Sequence, residues 1–188
     1  CKFFNNNCYD NTNWWGGAVY IHGYHSLITN CLFQDNTSDL IDPTLGAAAG
    51  GLVVESRIGS AGGLCNVNVT NCLFYHNRGG FGGGAALYFN NYVTVESCTF
   101  VSNEAVDDAY NYGYGGGLYT GTTHSGVRTT VNNSIFWGNT AVSGASQIFD
   151  ENNGGTTTIS YSYVQDGASG IGGGASLGTG NITASPGF

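Results

Sequence analysis

A six-residue phrase recurs through this chain and sharply limits what it can fold into. It reads Cys1-Lys2-Phe3-Phe4-Asn5-Asn6, Cys31-Leu32-Phe33-Gln34-Asp35-Asn36, Cys72-Leu73-Phe74-Tyr75-His76-Asn77 and Cys98-Thr99-Phe100-Val101-Ser102-Asn103. Weaker copies follow at Ser134-Ile135-Phe136-Trp137-Gly138-Asn139 and Ser162-Tyr163-Val164-Gln165-Asp166-Gly167. A fixed period of this kind marks a repeat architecture, in which no unit buries its apolar face alone and stacked units share one core.

Two further phrases lie between the copies. One is a glycine cluster running into apolar residues, as in Gly16-Gly17-Ala18-Val19-Tyr20, Gly50-Gly51-Leu52-Val53-Val54, Gly84-Ala85-Ala86-Leu87-Tyr88 and Gly115-Gly116-Gly117-Leu118-Tyr119. The other precedes the Cys or Ser phrase: Val67-Asn68-Val69, Val93-Thr94-Val95, Thr129-Thr130-Val131 and Thr157-Thr158-Ile159. All three alternate with period two and read as short strands. Three strands joined by turns make one coil, so the expected fold is a right-handed parallel β-helix of about six coils, an uncapped piece of a longer protein. The single domain, 1–188, has coils starting near residues 1, 31, 72, 98, 134 and 162.

The spacing also sets which side chains point inward. Val69 and Cys72, Val95 and Cys98, and Val131 and Ser134 are three apart and would alternate to opposite faces. A one-residue corner at Asn71, Ser97 or Asn133 returns both to the interior. Cys1, Cys31, Cys72 and Cys98 then form an inner row beside a row of Phe3, Phe33, Phe74, Phe100 and Phe136. Each buried Phe contributes about 2–3 kcal/mol by area. The closing Asn suits a turn through its tolerance of left-handed backbone angles, and its amides can stack along the axis as a ladder.

Composition removes several functions. The formal charge is −8, and Lys2, Arg57, Arg78 and Arg128 are the basic residues, which excludes nucleic acid as a partner. No apolar run approaches the ~18 residues of a spanning helix, so no membrane-spanning segment is expected. The chain contains no Met and shows no signal-peptide pattern, as expected of a mature or partial sequence.

The FxxN and GGA-type phrases resemble the repeats of the chlamydial polymorphic outer membrane proteins. The stretches Ser134–Ala141, Ile159–Ser162 and Gly180–Phe188 are similar to anchor-bearing secreted bacterial β-helix repeat proteins. The resemblance spans essentially the whole chain and is architectural. It implies a secreted or bacterial cell-surface location and an adhesive or scaffolding role, and it carries over no catalytic residue. The partners it leaves in view are adjacent coils or other copies of the chain, and extracellular glycans.

Candidate sites each stand beside a plainer reading. Asp35 and His76 occupy one phrase position in successive coils, with Arg78 two residues on, and are the best catalytic constellation. Arg78 should instead pair with Glu104 across the coils as a surface ion pair. Trp14, Trp15, Tyr110, Tyr112 and Tyr114 lie in Gly- and Asn-rich loops, where flat rings beside amides suit sugar rings; alternatively they fold back over the insertions. The inner cysteines read as buried free thiols, while Cys8 and Cys65 fall outside that row. No cofactor is called for. Ca²⁺ could be taken by Asp107 with Asp108, Asp39 with Asp42, or Asp150 with Glu151, although none matches a calcium-loop motif. Thr94, Thr130 and Thr158 share an outward column, interrupted by Leu27 and Asn68. A structural or adhesive surface module is the leading function, with a carbohydrate-binding or polysaccharide-degrading domain as the alternative.

Overall fold

The computed structural model describes residues 1–8, 17–23, 25–38, 49–55, 66–88, 92–106, 113–121, 128–151 and 154–184. These form the expected right-handed parallel β-helix, with every paired strand parallel to its neighbours. The first strand of each coil carries the Phe, replaced by Val164 in the sixth: Lys2–Phe4, Leu32–Gln34, Leu73–Tyr75, Thr99–Val101, Ile135–Trp137 and Tyr163–Val164 make this Phe sheet. The glycine phrase leads into the Gly sheet, Val19–His22, Leu52–Glu55, Ala85–Tyr88, Leu118–Gly121, Ile148–Asp150 and Ile171–Gly173. The Thr sheet closes each coil with His25–Thr29, Asn66–Thr70, Tyr92–Glu96, Arg128–Asn132, Thr156–Ser160 and Ala175–Leu177.

A fourth strand, which the three-strand reading missed, follows the Asn. It is only two residues long: Asn7–Cys8, Thr37–Ser38, Arg78–Gly79, Glu104–Ala105 and Thr140–Ala141 pair as a narrow corner sheet. Two residues are too few for a period-two signal to show in sequence. In the sixth coil a 3₁₀ turn, Gly167–Gly170, stands in its place.

The core follows the predicted facing. Phe33, Phe74, Phe100 and Phe136 are fully buried, and successive rings from Phe3 to Phe136 stack with centroids 4.5–5.0 Å apart. That distance is the spacing of parallel strands, so one Phe per coil gives a continuous column. The corners at Asn71, Ser97 and Asn133 have φ of 50–53°, the left-handed region that turns the chain within one residue.

The closing Asn differs from expectation. The left-handed residue is the one before it: Asn5, Asp35, His76, Ser102 and Asp166, with Gly138 in the fifth coil. That residue turns outward and drives the Asn inward, where Asn36, Asn77, Asn103 and Asn139 are at most 3% exposed. The ladder half of the expectation holds. Each Nδ2 donates to the next coil's Oδ1, at 2.8 Å from Asn36 to Asn77, 3.0 Å from Asn77 to Asn103 and 2.9 Å from Asn103 to Asn139. It donates also to the carbonyl of the preceding coil's Phe. At the fifth coil Asn139 passes its bond to Gln147 Oε1, 2.7 Å away, since the sixth phrase ends in Gly167 instead of Asn.

Glycines of these clusters meet two needs: Gly17, Gly82 and Gly115 have positive φ of 132°, 60° and 62°, and their neighbours are packed too closely for a side chain. Gly50, Gly83 and Gly116 have no positive φ, yet a Cβ on them would lie 2.3, 2.4 and 2.1 Å from the carbonyl oxygens of Arg78, Glu104 and Thr140. The chain entering the Gly sheet runs against the corner strand of the next coil. Only a residue without a side chain fits there.

Candidate functional site

The buried Asn organises the outer surface on either side of itself. The residue before each Asn turns out through its left-handed backbone, and the residue after it points out from the corner strand. Asp35, His76, Ser102 and Gly138 therefore stack as one column, and Thr37, Arg78, Glu104 and Thr140 as a second. Between them runs a groove of about 450 Å³ along the helix axis, with Asn77 in its lining. Beyond the first column, the Phe-sheet register aligns Gln34, Tyr75, Val101 and Trp137 as an outward row. Tyr75 is 40% exposed and Trp137 is half-buried.

The Asp35–His76 pairing inferred from the phrase is present. His76 Nδ1 lies 2.9 Å from Asp35 Oδ1, and Gln34 Nε2 donates to Asp35 Oδ2 at 2.8 Å. The side chains are 67% and 33% exposed, so water screens the pair. Arg78 Nε donates to Glu104 Oε2 at 3.2 Å, as the register required, with both side chains exposed. Exposed pairs of this kind are worth about 0–1 kcal/mol. General acid–base catalysis depends on groups held in place against the reacting bond and shielded from bulk water. Asp35 can orient His76, but the open groove leaves that imidazole in solvent.

The inner cysteine row is in place. Cys72 and Cys98 are buried free thiols, whereas Cys31 is half-buried and Cys1 exposed at the first coil, so the expected burial holds only for the inner two. The thiols of Cys31, Cys72 and Cys98 each donate to the carbonyl two residues back, at 3.2–3.3 Å. Ser134 and Ser162 make the same bond at 2.8 Å. This explains the drift from Cys to Ser: both supply a short donor at that corner. Ser162 N–H donates to Asn181 Oδ1 at 3.0 Å, and Ile182 bridges to Tyr163, so Asn181 continues the row into a seventh turn. No FxxN phrase marks that turn. The neighbouring Cys72 and burial push the Cys98 thiol above its ordinary range.

Other candidates separate. Tyr114 stacks on Phe149, centroids 4.4 Å apart, against a small cluster containing Phe81 and Tyr119 on the outer side of the Gly sheet. One face of its ring is thereby covered. Asp150 is buried facing the interior and Glu151 is exposed. Trp14, Trp15, Tyr110, Tyr112, Asp107, Asp108, Asp39, Asp42 and Cys65 lie outside the described residues. Among the described residues, no group of three or more His, Cys, Asp and Glu is placed to hold a metal ion, and no helix is long and apolar enough to cross a membrane. The Thr column keeps its predicted register, Asn68, Thr94, Thr130 and Thr158.

The groove went unread in the sequence because its two walls come from positions two apart in each coil, separated by a buried Asn. Only the coil-to-coil register makes them continuous. No family model, curated protein or solved structure matches this chain.

Proposed function

We propose that this chain is an extracellular or cell-surface structural module, a rigid rod that adheres through its side. The amide ladder carries this reading. From Asn36 to Asn103 every buried Asn amide is bonded to the coils on both sides, and Asn139 ends the ladder on Gln147 of its own coil, which locks coil to coil without drawing on the outer columns. A stack held this way offers long outward columns at constant spacing, the geometry of a display surface. Beads coated with the chain should be retained under flow on surfaces bearing extracellular polysaccharide or whole cells. Retention no better than that of uncoated beads would overturn the adhesive role.

The Asp35–His76 contact favours a second reading, a polysaccharide-degrading domain with His76 as proton acceptor. Incubation with neutral and acidic polysaccharides, with and without Ca²⁺, separates the two. The structural reading expects no products; cleavage abolished by Asp35→Asn or His76→Ala would establish the enzyme.

A further inference from the structure

We propose that the axial groove between the Asp35 and Arg78 columns, together with the outward row of Tyr75 and Trp137 beside it, binds a linear, uncharged glycan lying parallel to the rod. This deepens the adhesive reading by giving it a site and a ligand class, and it rests on that reading.

Charge argues first. The basic side chains bordering the groove, His76 and Arg78, each contact a carboxylate of the same groove, Asp35 at 2.9 Å and Glu104 at 3.2 Å. A phosphate, sulfate or uronate entering would have to compete with a carboxylate already in place, on a chain of net charge −8. A neutral polyol faces no such conflict. Its hydroxyls can donate to the carboxylate of each pair and accept from the basic partner without breaking either contact.

The remaining lining fits that choice. Thr37, Ser102 and Thr140 add hydroxyls that both donate and accept, and Gly138 leaves one position in the column without a side chain. In the outward row beside the groove, Tyr75 and Trp137 are two coils apart in register, roughly 10 Å at the parallel-strand spacing, and Trp137 packs on Tyr163 with centroids 5.4 Å apart. Tyr75 also packs against the His76 ring, with centroids 5.7 Å apart, which limits its motion. Sugar rings present C–H faces that lie flat on such aromatics and hydroxyl edges that reach polar columns. A groove lined in four successive coils suits a polymer that extends along one axis better than a compact ligand.

The test is calorimetric titration of the chain with neutral hexasaccharides (malto-, cello-, laminari- and chito-series) and with hexagalacturonate as the charged comparator. At least one neutral series should bind, with affinity little changed by salt. Tyr75→Ala and Trp137→Ala should each weaken it about tenfold, the loss expected for one ring contact. Tyr92→Ala, which removes an exposed ring on the Thr sheet, should leave it unchanged. Circular dichroism of each variant checks that the β-helix is intact; these rings point outward, so it should be. No binding by any neutral series, equal binding by Tyr75→Ala, or tighter and salt-sensitive binding of hexagalacturonate would each overturn the proposal. Bead retention that persists when no neutral glycan binds would remove this site while leaving the adhesive reading intact.

Discussion

Asn103 Oδ1 accepts two hydrogen bonds from a single residue, Asn77: one from its backbone N–H and one from its side-chain Nδ2, each 3.0 Å long. Asn103 Nδ2 in turn donates to Phe74 O and Asn139 Oδ1, both at 2.9 Å. One amide thus serves three coils and is itself fully satisfied.

Removing it should be costly. Asn103→Ala strands the Asn77 amide and the Phe74 carbonyl in a buried site, and each unsatisfied group costs about 1–3 kcal/mol. The expected loss is about 3–5 kcal/mol, read from the urea midpoint. Asn103→Asp keeps the acceptor but replaces the donor with a charge facing Phe74 O and Asn139 Oδ1, and should fare no better. A shift as small as that of an exposed substitution would show that the ladder contributes little.

Phe74 and Leu73 are adjacent in sequence and opposite in environment, fully buried and 39% exposed. Phe74→Ala opens a gap in the ring column and should cost about 3–5 kcal/mol. Leu73→Ala should cost under about 1 kcal/mol. Equal melting shifts for the two would contradict the strand facing.

Gly116 meets Thr140 where no Cβ fits, with the carbonyl carbon as well as the oxygen in the way at 2.7 and 2.1 Å. Gly116→Ala should therefore destabilise by about 2 kcal/mol or more, since the obstacle is backbone and cannot swing aside. Gly23→Ala, where an added Cβ meets nothing within 4 Å, is the matched control and should be close to neutral.

Cys98 sets a pH dependence. Its folded-state pKa is raised, so above the unfolded thiol value of about 8.5 the unfolded chain releases a proton that the folded chain retains. Its contribution to stability is complete below that pH and falls above it by up to about 1.4 kcal/mol per pH unit. Urea unfolding from about pH 8.5 to 10 should show that decline, and Cys98→Ala should flatten it. In the native state iodoacetamide should modify exposed Cys1 well before Cys98, as peptide mass spectrometry would show. Labelling of Cys98 at the rate of Cys1 would contradict its burial.

The sequence by itself determined the coil. Period-two alternation around Phe74, Val95 and Val131, and the fixed offset from Val to Cys or Ser, specify which side chains face the axis, because strand sidedness is a local property of the backbone. The contacts Asp35 to His76 and Arg78 to Glu104 followed from the same phrase positions, since parallel in-register stacking sets like above like. What tertiary structure decided lies between coils. The corner strand exists only because Arg78 and Glu104 find partners one coil away, and two residues carry no pattern of their own. The glycine pairs are set by another coil's backbone at Arg78, Glu104 and Thr140, contacts dozens of residues distant in sequence. Gln147 completes the amide ladder from a degenerate glycine phrase and not from an FxxN phrase, and Asn181 extends the corner row without a Cys or Ser. Each is a short-range steric or hydrogen-bonding demand between segments far apart along the chain, and such a demand becomes visible only once the coils are stacked.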